Sequence, residues 1–410
     1  MSLIIDILYK KLSKKQAKML KTITNQSILV PLLFICSLIT KIYYGSTRNI
    51  FSSGPDANTF TQMGIDLANI GYLNSGVAGL PIYSPGYGFF LALNKKFFGD
   101  NWILIAQIFQ SFFSSISALF LFMVSSRFLN KNFSILTLII MLFHPAILVA
   151  SVSSMYESLA IFFLSILIYL SITYRKKIAL ITFSTISSML ILVHPRFIPM
   201  AMIIFIINCL DKKFQKNLTI ITIYMIINLS TVFLVLYRNS VFSNYTGLAA
   251  GTKYGLEYGH PSLGKCENLI RCLASVKSNS GEFIKESFIN AMNFLSPWSG
   301  PLERGTWFHN ISFYTLLQKN NLLLLSSLLS AITTIFMLIL LLFGFRHLRR
   351  NDNKIFEVFV AIGFICLLTD SLVYGDSRHR LVFLNMSVLV ITLSMQVLYE
   401  SIKRQFTSKS

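Results

Sequence analysis

The sequence predicts an all-α polytopic membrane protein of about ten transmembrane helices, with two long extracytoplasmic loops that carry short interfacial helices. Three observations lead there. Of 410 residues, 54% are hydrophobic and only 13% charged, with a mean hydropathy of +0.64. Soluble chains carry about 25% charged residues, so this chain lacks the charge to cover a soluble surface of its size. Apolar runs close to the roughly 20 residues that a bilayer core demands recur along the whole chain. More than half of the 36 Lys and Arg residues fall in short segments that alternate with those runs: Lys10 to Lys21, Arg127 to Lys131, Arg175 to Lys177, Lys212 to Lys216, Arg346 to Lys354 and Lys403 to Lys409. Short basic loops on every second side of a membrane mark its cytoplasmic face.

The runs lie at 26–44, 102–126, 133–152, 157–173, 178–194, 197–210, 218–237, 321–345, 355–373 and 381–399. A cytoplasmic N-terminus puts every basic segment inside, and an even number of spans returns the C-terminus to the same side. The first run comes after a long basic stretch and precedes no Ala-x-Ala site, so it is expected to stay as an uncleaved helix. His194-Pro195-Arg196 interrupts the fifth and sixth runs. Proline biases its predecessor away from helix, which predicts a tight hairpin at the outer face.

Two connections, about Gly45 to Asn101 and about Arg238 to Asn320, far exceed the roughly 12–15 residues of an ordinary loop and are candidates for function. Within the first, Phe60 to Ile70 reads as a short helix and Phe89 to Phe98 as an interfacial stretch. Within the second, Glu282 to Leu295 shows the two-faced pattern of a helix lying flat on the membrane. Trp298 and Trp307 come next, at aromatic-belt positions. Residues 1–410 read as one domain, with 45–101 as its catalytic loop and 238–320 as its large loop.

A net charge of +20 would suit nucleic acid, but its distribution sets topology and attracts anionic membrane lipids instead. Cys36, Cys209 and Cys366 lie in apolar runs as small hydrophobes. Cys266 and Cys272 share the large loop, where an oxidising compartment permits either a disulfide or two thiols.

With the outer segments mostly neutral, their ionisable groups can be weighed singly. Asp56, in Gly54-Pro55-Asp56-Ala57, is either a helix-terminal acid or a general base at the outer surface; Asp66 is the weaker rival. Tyr83 and Tyr87, in Pro81-Ile-Tyr-Ser-Pro-Gly-Tyr-Gly, are interface anchors or pocket walls, set in a backbone stiffened by proline. Glu157 opens the fourth run and Arg196 flanks the fifth. Tyr374-Gly-Asp-Ser-Arg-His-Arg380 places Arg378, His379 and Arg380 on the side that avoids positive charge. Guanidinium groups there suit a lipid phosphate, although Asp376 is an alternative partner for either arginine. Asp370 is the acid clearly inside a late run. No Walker A loop, His-Glu-x-x-His pair or dinucleotide fingerprint is present. The six histidines show no metal-ligand spacing. A divalent ion between Asp56 and a phosphate stays chemically open, and no other cofactor is expected.

Together, Asp56-Ala57-x-x-Phe60-x-x-x-Gly64-x-x-Leu67-Ala68 and Tyr83-Ser84-Pro85-Gly86-Tyr87-Gly88-Phe89 resemble the GT-C membrane glycosyltransferases. The likeness is nearest to the branch of the protein O-mannosyltransferases and the lipid A aminoarabinose transferase. Tyr156-Glu157, His194-Pro195-Arg196, Asn293-Phe-Leu-Ser-Pro-Trp298 and Ser377-Arg378-His379-Arg380-Leu381 agree with it. Pro55 and a lone Asp56 stand where many members carry two adjacent acids, and Phe60 where tyrosine is common.

The resemblance implies a polyprenyl-phosphate-linked sugar donor, transfer outside the cytoplasm and inversion, with Asp56 as base. It implies a lipid, glycan or protein acceptor and, by its usual setting, a bacterial plasma membrane. Arg378 and Arg380 would meet the donor phosphate, with Arg196, His194 and Lys253 as further cations. Tyr83, Tyr87, Glu157 and His379 would line the pocket. A lipid-linked sugar flippase and a polysaccharide polymerase are the alternatives. The first expects midplane charges and repeated halves; the second has no need of Asp56.

Overall fold

The computed structural model describes residues 28–48, 51–52, 55–70, 83–173, 177–210, 218–243, 247–249, 256–257, 260–265, 269–295, 336, 339–344, 346–347, 349, 353–372 and 382–407. Among them the secondary structure is helical, with no strand. In chain order the helices are α1 (Leu29–Arg48), α2 (Pro55–Ile70), α3 (Pro85–Phe98), α4 (Trp102–Ser125), α5 (Lys131–Phe143), α6 (Pro145–Val152), α7 (Glu157–Thr173), α8 (Lys177–Val193) and α9 (Phe197–Leu210). They continue with α10 (Leu218–Ser243), α11 (Leu269–Ser278), α12 (Ser280–Leu295), α13 (Asn353–Leu372) and α14 (Leu384–Thr407).

Four stretches of the described residues are long and apolar enough to cross a membrane: Leu29–Thr47, Pro85–Ser125, Ile221–Val241 and Leu384–Thr407. The second is not one rod. Gly99 adopts a left-handed φ of 54°, and the chain turns there. Both ends of α3 then touch α4, through Tyr87 on Gln110, Phe90 on Phe113 and Phe98 on Phe109. The crossing element is therefore α4, about 36 Å long at 1.5 Å per residue.

The expected span 133–152 is broken. His144-Pro145 bends α5 from α6 by 46°, and the two count as a fifth crossing only if taken together. Proline removes a backbone donor and pushes residue 144 into extended geometry (ψ 123°). The expected spans 157–173, 178–194, 197–210 and 355–373 coincide with shorter apolar helices. Most of 321–345 lies outside the described residues.

Helix bounds also differ from the sequence reading. The first loop's helix begins at Pro55 rather than Phe60, and the second at Pro85 rather than Phe89. Proline pre-sets the φ of a first helical residue without losing a hydrogen bond, and both starts use it. The helical pattern carries α1 to Arg48 and α10 to Ser243, so both loops start later than expected. In the large loop α11 and a 3-10 turn at Pro261–Leu263 precede α12, which packs on α13.

Helix α4 is the hub, packed against α1, α3, α5, α6, α7 and α14. Its inward stripe is polar: Gln107, Gln110, Ser111, Ser114 and Ser115 are all buried. Small and amide side chains at helical spacing let backbones approach closely and bond across helices where lipid supplies no hydrophobic drive. Helix α14 is tied in the same way, Asn385 Nδ2 donating to Ser165 Oγ at 2.8 Å and Thr392 meeting Thr137 at 2.9 Å. Outward, Phe97, Phe233, Leu234, Ile284, Phe288 and Phe364 are well exposed. That is the surface expected where hydrocarbon is the solvent.

Candidate active site

Helices α2 and α3 form a tightly packed pair. A Cβ at Gly64 would lie 2.6 Å from Leu91 Cβ, so only glycine admits this approach. Gly86, in the first turn of α3, receives the end of α8: a Cβ there would stand 2.6 Å from the Leu192 carbonyl oxygen. The Tyr-Ser-Pro-Gly-Tyr stretch is thus built to bring the start of α3 against the residues that lead into His194.

Asp56 sits in the first turn of α2, where the helix dipole favours a carboxylate. It is half-buried, and Tyr83 Oη donates to its Oδ1 at 2.8 Å. The Tyr83 ring stacks on Phe60, one turn further along α2, with centroids 4.2 Å apart. Phe60 is 1% exposed and also meets Tyr87 and Tyr156 edge-on at 5.1 and 5.7 Å. One aromatic side chain therefore joins the first loop to the start of α7.

Tyr156 continues the chain of contacts. His194 stacks on it at 4.9 Å, and the Arg196 guanidinium stands 5.6 Å from its centroid and 5.2 Å from that of Phe197. Such cation–aromatic contacts hold a guanidinium in place and leave its donors for other partners. The Arg196 backbone N–H donates to His194 Nδ1 at 3.2 Å, which puts the proton of a neutral ring on Nε2.

Glu157, the first residue of α7, is fully buried and lies in the electrostatic reach of Tyr87. Tyr87 Oη donates to Gln110 Oε1 at 2.9 Å, and Gln110 Nε2 donates to the Ser153 carbonyl at 2.8 Å. The Ser154 N–H reaches back to the Phe51 carbonyl at 2.7 Å. The approach to Asp56 and the approach to Tyr156 are thereby stitched together.

Six of the residues singled out from sequence, Asp56, Tyr83, Tyr87, Glu157, His194 and Arg196, therefore gather around Phe60 and Tyr156. Asp66 faces away from this group, accepting from Gln62 Nε2 at 2.7 Å on the exposed side of α2. Lys253, Asp376, Arg378, His379, Arg380, Trp298 and Trp307 lie outside the described residues, as does the Asp370 side chain. Among the described residues no group of three His, Cys, Asp or Glu could hold a metal ion.

Gln110 is the participant absent from the sequence motifs, and Phe60 and Tyr156 stand in those motifs with no role attached. Aromatics carry no charge to attract notice. Gln110 is signalled only by an amide recurring inside an apolar run.

A second cluster lies in the large loop. Buried His260 places Nε2 3.0 Å from the Leu372 carbonyl, at the end of α13, and Nδ1 3.5 Å from Glu286 of α12. Ser262 donates to Glu286 through both its hydroxyl and its N–H, at 2.6 and 3.0 Å. Burial holds the His260 pKa below its ordinary 6.5, against the opposing pull of the Leu372 carbonyl and Glu286. Cys272, at the same end, is disulfide-bonded; Cys266 lies outside the described residues.

No protein-family model matches the chain, and no curated protein matches it. Among solved structures it is similar to ArnT from Cupriavidus metallidurans, both bound to undecaprenyl phosphate and in the apo state. In each case 13% of residues are identical, the match covers 89% of this chain and 77% of that chain, and the TM-score is 0.42.

Proposed function

We propose that the protein is an integral membrane glycosyltransferase that moves a sugar from a polyprenyl-phosphate-linked donor to an acceptor on the extracytoplasmic side. The observation that carries this reading is the Tyr83–Asp56 hydrogen bond, linked through Phe60 and Tyr156 to His194 and Arg196. It sets an oriented carboxylate and a fixed guanidinium on one aromatic scaffold.

Asp56 accepts the proton of the acceptor hydroxyl as that oxygen attacks the anomeric carbon. The bond from that carbon to the phosphate oxygen breaks, the configuration inverts, and polyprenyl phosphate leaves. Tyr83 fixes the direction of the carboxylate, as a general base needs. Negative charge growing on the leaving phosphate calls for fixed cations in a water-poor place. Arg196 fills that need beside Tyr156, and Arg378, Arg380, Lys253 and His194 complete the set. Tyr87, Glu157 and His379 line the sugar pocket. The acceptor is a lipid, a glycan or a protein.

The disulfide at Cys272 supports an extracytoplasmic large loop, since such bonds persist in oxidising compartments. Both termini then face the cytoplasm of a bacterial plasma membrane.

The test is transfer from a labelled polyprenyl-phosphate sugar in membranes, wild type against Asp56→Asn. Loss of about a hundredfold or more is expected, in line with general-base catalysis. Full transfer by the variant would leave Asp56 as a helix-terminal acid and return the flippase and polymerase to the front.

A further inference from the structure

One buried cation takes no part in the proposed chemistry. Lys41 lies within α1 and is fully buried. Its ammonium donates to Ser114 Oγ at 3.1 Å and to Ser115 Oγ at 3.0 Å, both on α4. A charge inside a lipid-embedded bundle is costly, and such residues persist where they do something. Two neutral hydroxyls compensate it less well than a carboxylate would, so simple stabilisation is a poor account of its presence.

Its neighbours on the same helix face give a better one. Ser37, one turn earlier and also buried, donates to the Leu142 carbonyl of α5 at 3.1 Å. Gly45, one turn later, meets α6 and α4 so closely that a Cβ would stand 3.0 Å from Val152 Cγ1 and 3.2 Å from Gln107 Nε2. Residues 37, 41 and 45 recur every fourth position and so line one stripe. The stripe keys α1 into the groove formed by α4, α5 and α6. Lys41 is its charged tooth: sliding or rotating α1 would strand the ammonium among apolar side chains.

Beyond the end of α1 the chain approaches the site. Phe51 is 2% exposed, packs edge-on against Trp102 at 5.7 Å, and accepts the Ser154 N–H. Five residues later comes Asp56.

We infer that Lys41 is a positioning residue, whose bonds to Ser114 and Ser115 set the depth and rotation of α1 and thereby the place of Asp56. This rests on the proposed catalytic role of Asp56 for its activity readout alone.

The experiment uses the full chain in nanodiscs, with spin labels at Tyr43→Cys and Phe97→Cys, both exposed positions, and with Cys36→Ser removing an exposed free thiol. Pulsed dipolar spectroscopy reads the distance from α1 to the end of α3, and steady-state transfer reads kcat and the donor KM. Lys41→Met is expected to keep its thermal transition, shift or broaden the distance distribution, and lower kcat about tenfold or more with KM little changed, because small misplacements of a catalytic group slow the reaction steeply. Ser114→Ala with Ser115→Ala is expected to shift the distances in the same way. An unchanged distribution with unchanged kcat overturns the inference. So does a loss confined to the amount of folded protein. A shifted distribution in a protein whose wild type transfers no sugar upholds the positioning role and overturns the proposed reaction instead.

Discussion

His144-Pro145 and His194-Pro195 are the same dipeptide used at two places, and both rings make the same local hydrogen bond. Each follows the end of a helix and each ring accepts the N–H two residues on at 3.2 Å through Nδ1, but α6 begins at Pro145 itself whereas α9 begins only at Phe197. The residue that receives the cap makes the difference. At the first break it is Ala146, and the product is a bend between α5 and α6. At the second it is Arg196, and the ring stacks on Tyr156 with the guanidinium beside it. A shared ring–backbone hydrogen bond thus accompanies a bend in one region and candidate chemistry in the other.

The largest expected contrast lies in transfer. Arg196→Ala is expected to lower kcat by about a hundredfold or more, the loss usual for one preorganised charge donor in a transition state. Activity within a few-fold of wild type would dissolve the distinction between the two breaks. At the first break the effect is smaller and of another kind. His144→Ala removes a cap worth about 1 kcal/mol, so the protein melts earlier in detergent while its folded fraction keeps wild-type kcat. A fall in kcat equal to that of Arg196→Ala would show that both breaks serve the site.

The smallest effect sharpens the comparison with a third such step, His260-Pro261, where both ring nitrogens face tertiary partners instead of a local cap. Its pKa is held below the ordinary 6.5 by burial, so the fold prefers the neutral ring. Below pH 6.5 the unfolded ring takes up a proton that the folded one resists, and stability falls as pH falls. Above 6.5 the contribution is complete and flat. Amide exchange in α12, monitored from pH 8 to pH 5, is expected to accelerate on the acid side. His260→Gln should remove that slope, and a slope that survives assigns it elsewhere.

Much of this architecture is legible in the residues. Length and hydropathy of the runs, and the sign of charge between them, foreshadow the long helices because the bilayer imposes both. The gathering of Asp56, Tyr83 and His194-Pro195-Arg196 is legible only through the resemblance, since nothing in one sequence says that residues 56 and 194 meet. Pro55 and Pro85 open helices whose residue patterns point to later starts, because proline suits a loop and a first helical turn equally well. Phe60 and Tyr156 are visible only as motif positions without a role, because aromatic residues are abundant in any membrane chain. Lys41 stands in plain view inside the first run, but charge within an apolar stretch shows its purpose only once its partners have numbers.

The stripe on α1 also has a consequence for how the protein is made. The helix leaves the ribosome before any of its partners, and the hydroxyl of Ser115 comes 74 positions after Lys41. Until then an isolated lysine near a helix centre disfavours insertion by about 2.5–3.5 kcal/mol, and its long stem has to stretch toward the headgroups. Insertion of α1 is therefore expected to become complete only when α4 arrives, which insertion assays on chains truncated before and after Ser115 would read. On that expectation the order of synthesis sets an order of assembly, the first helix waiting for the hydroxyls of the fourth.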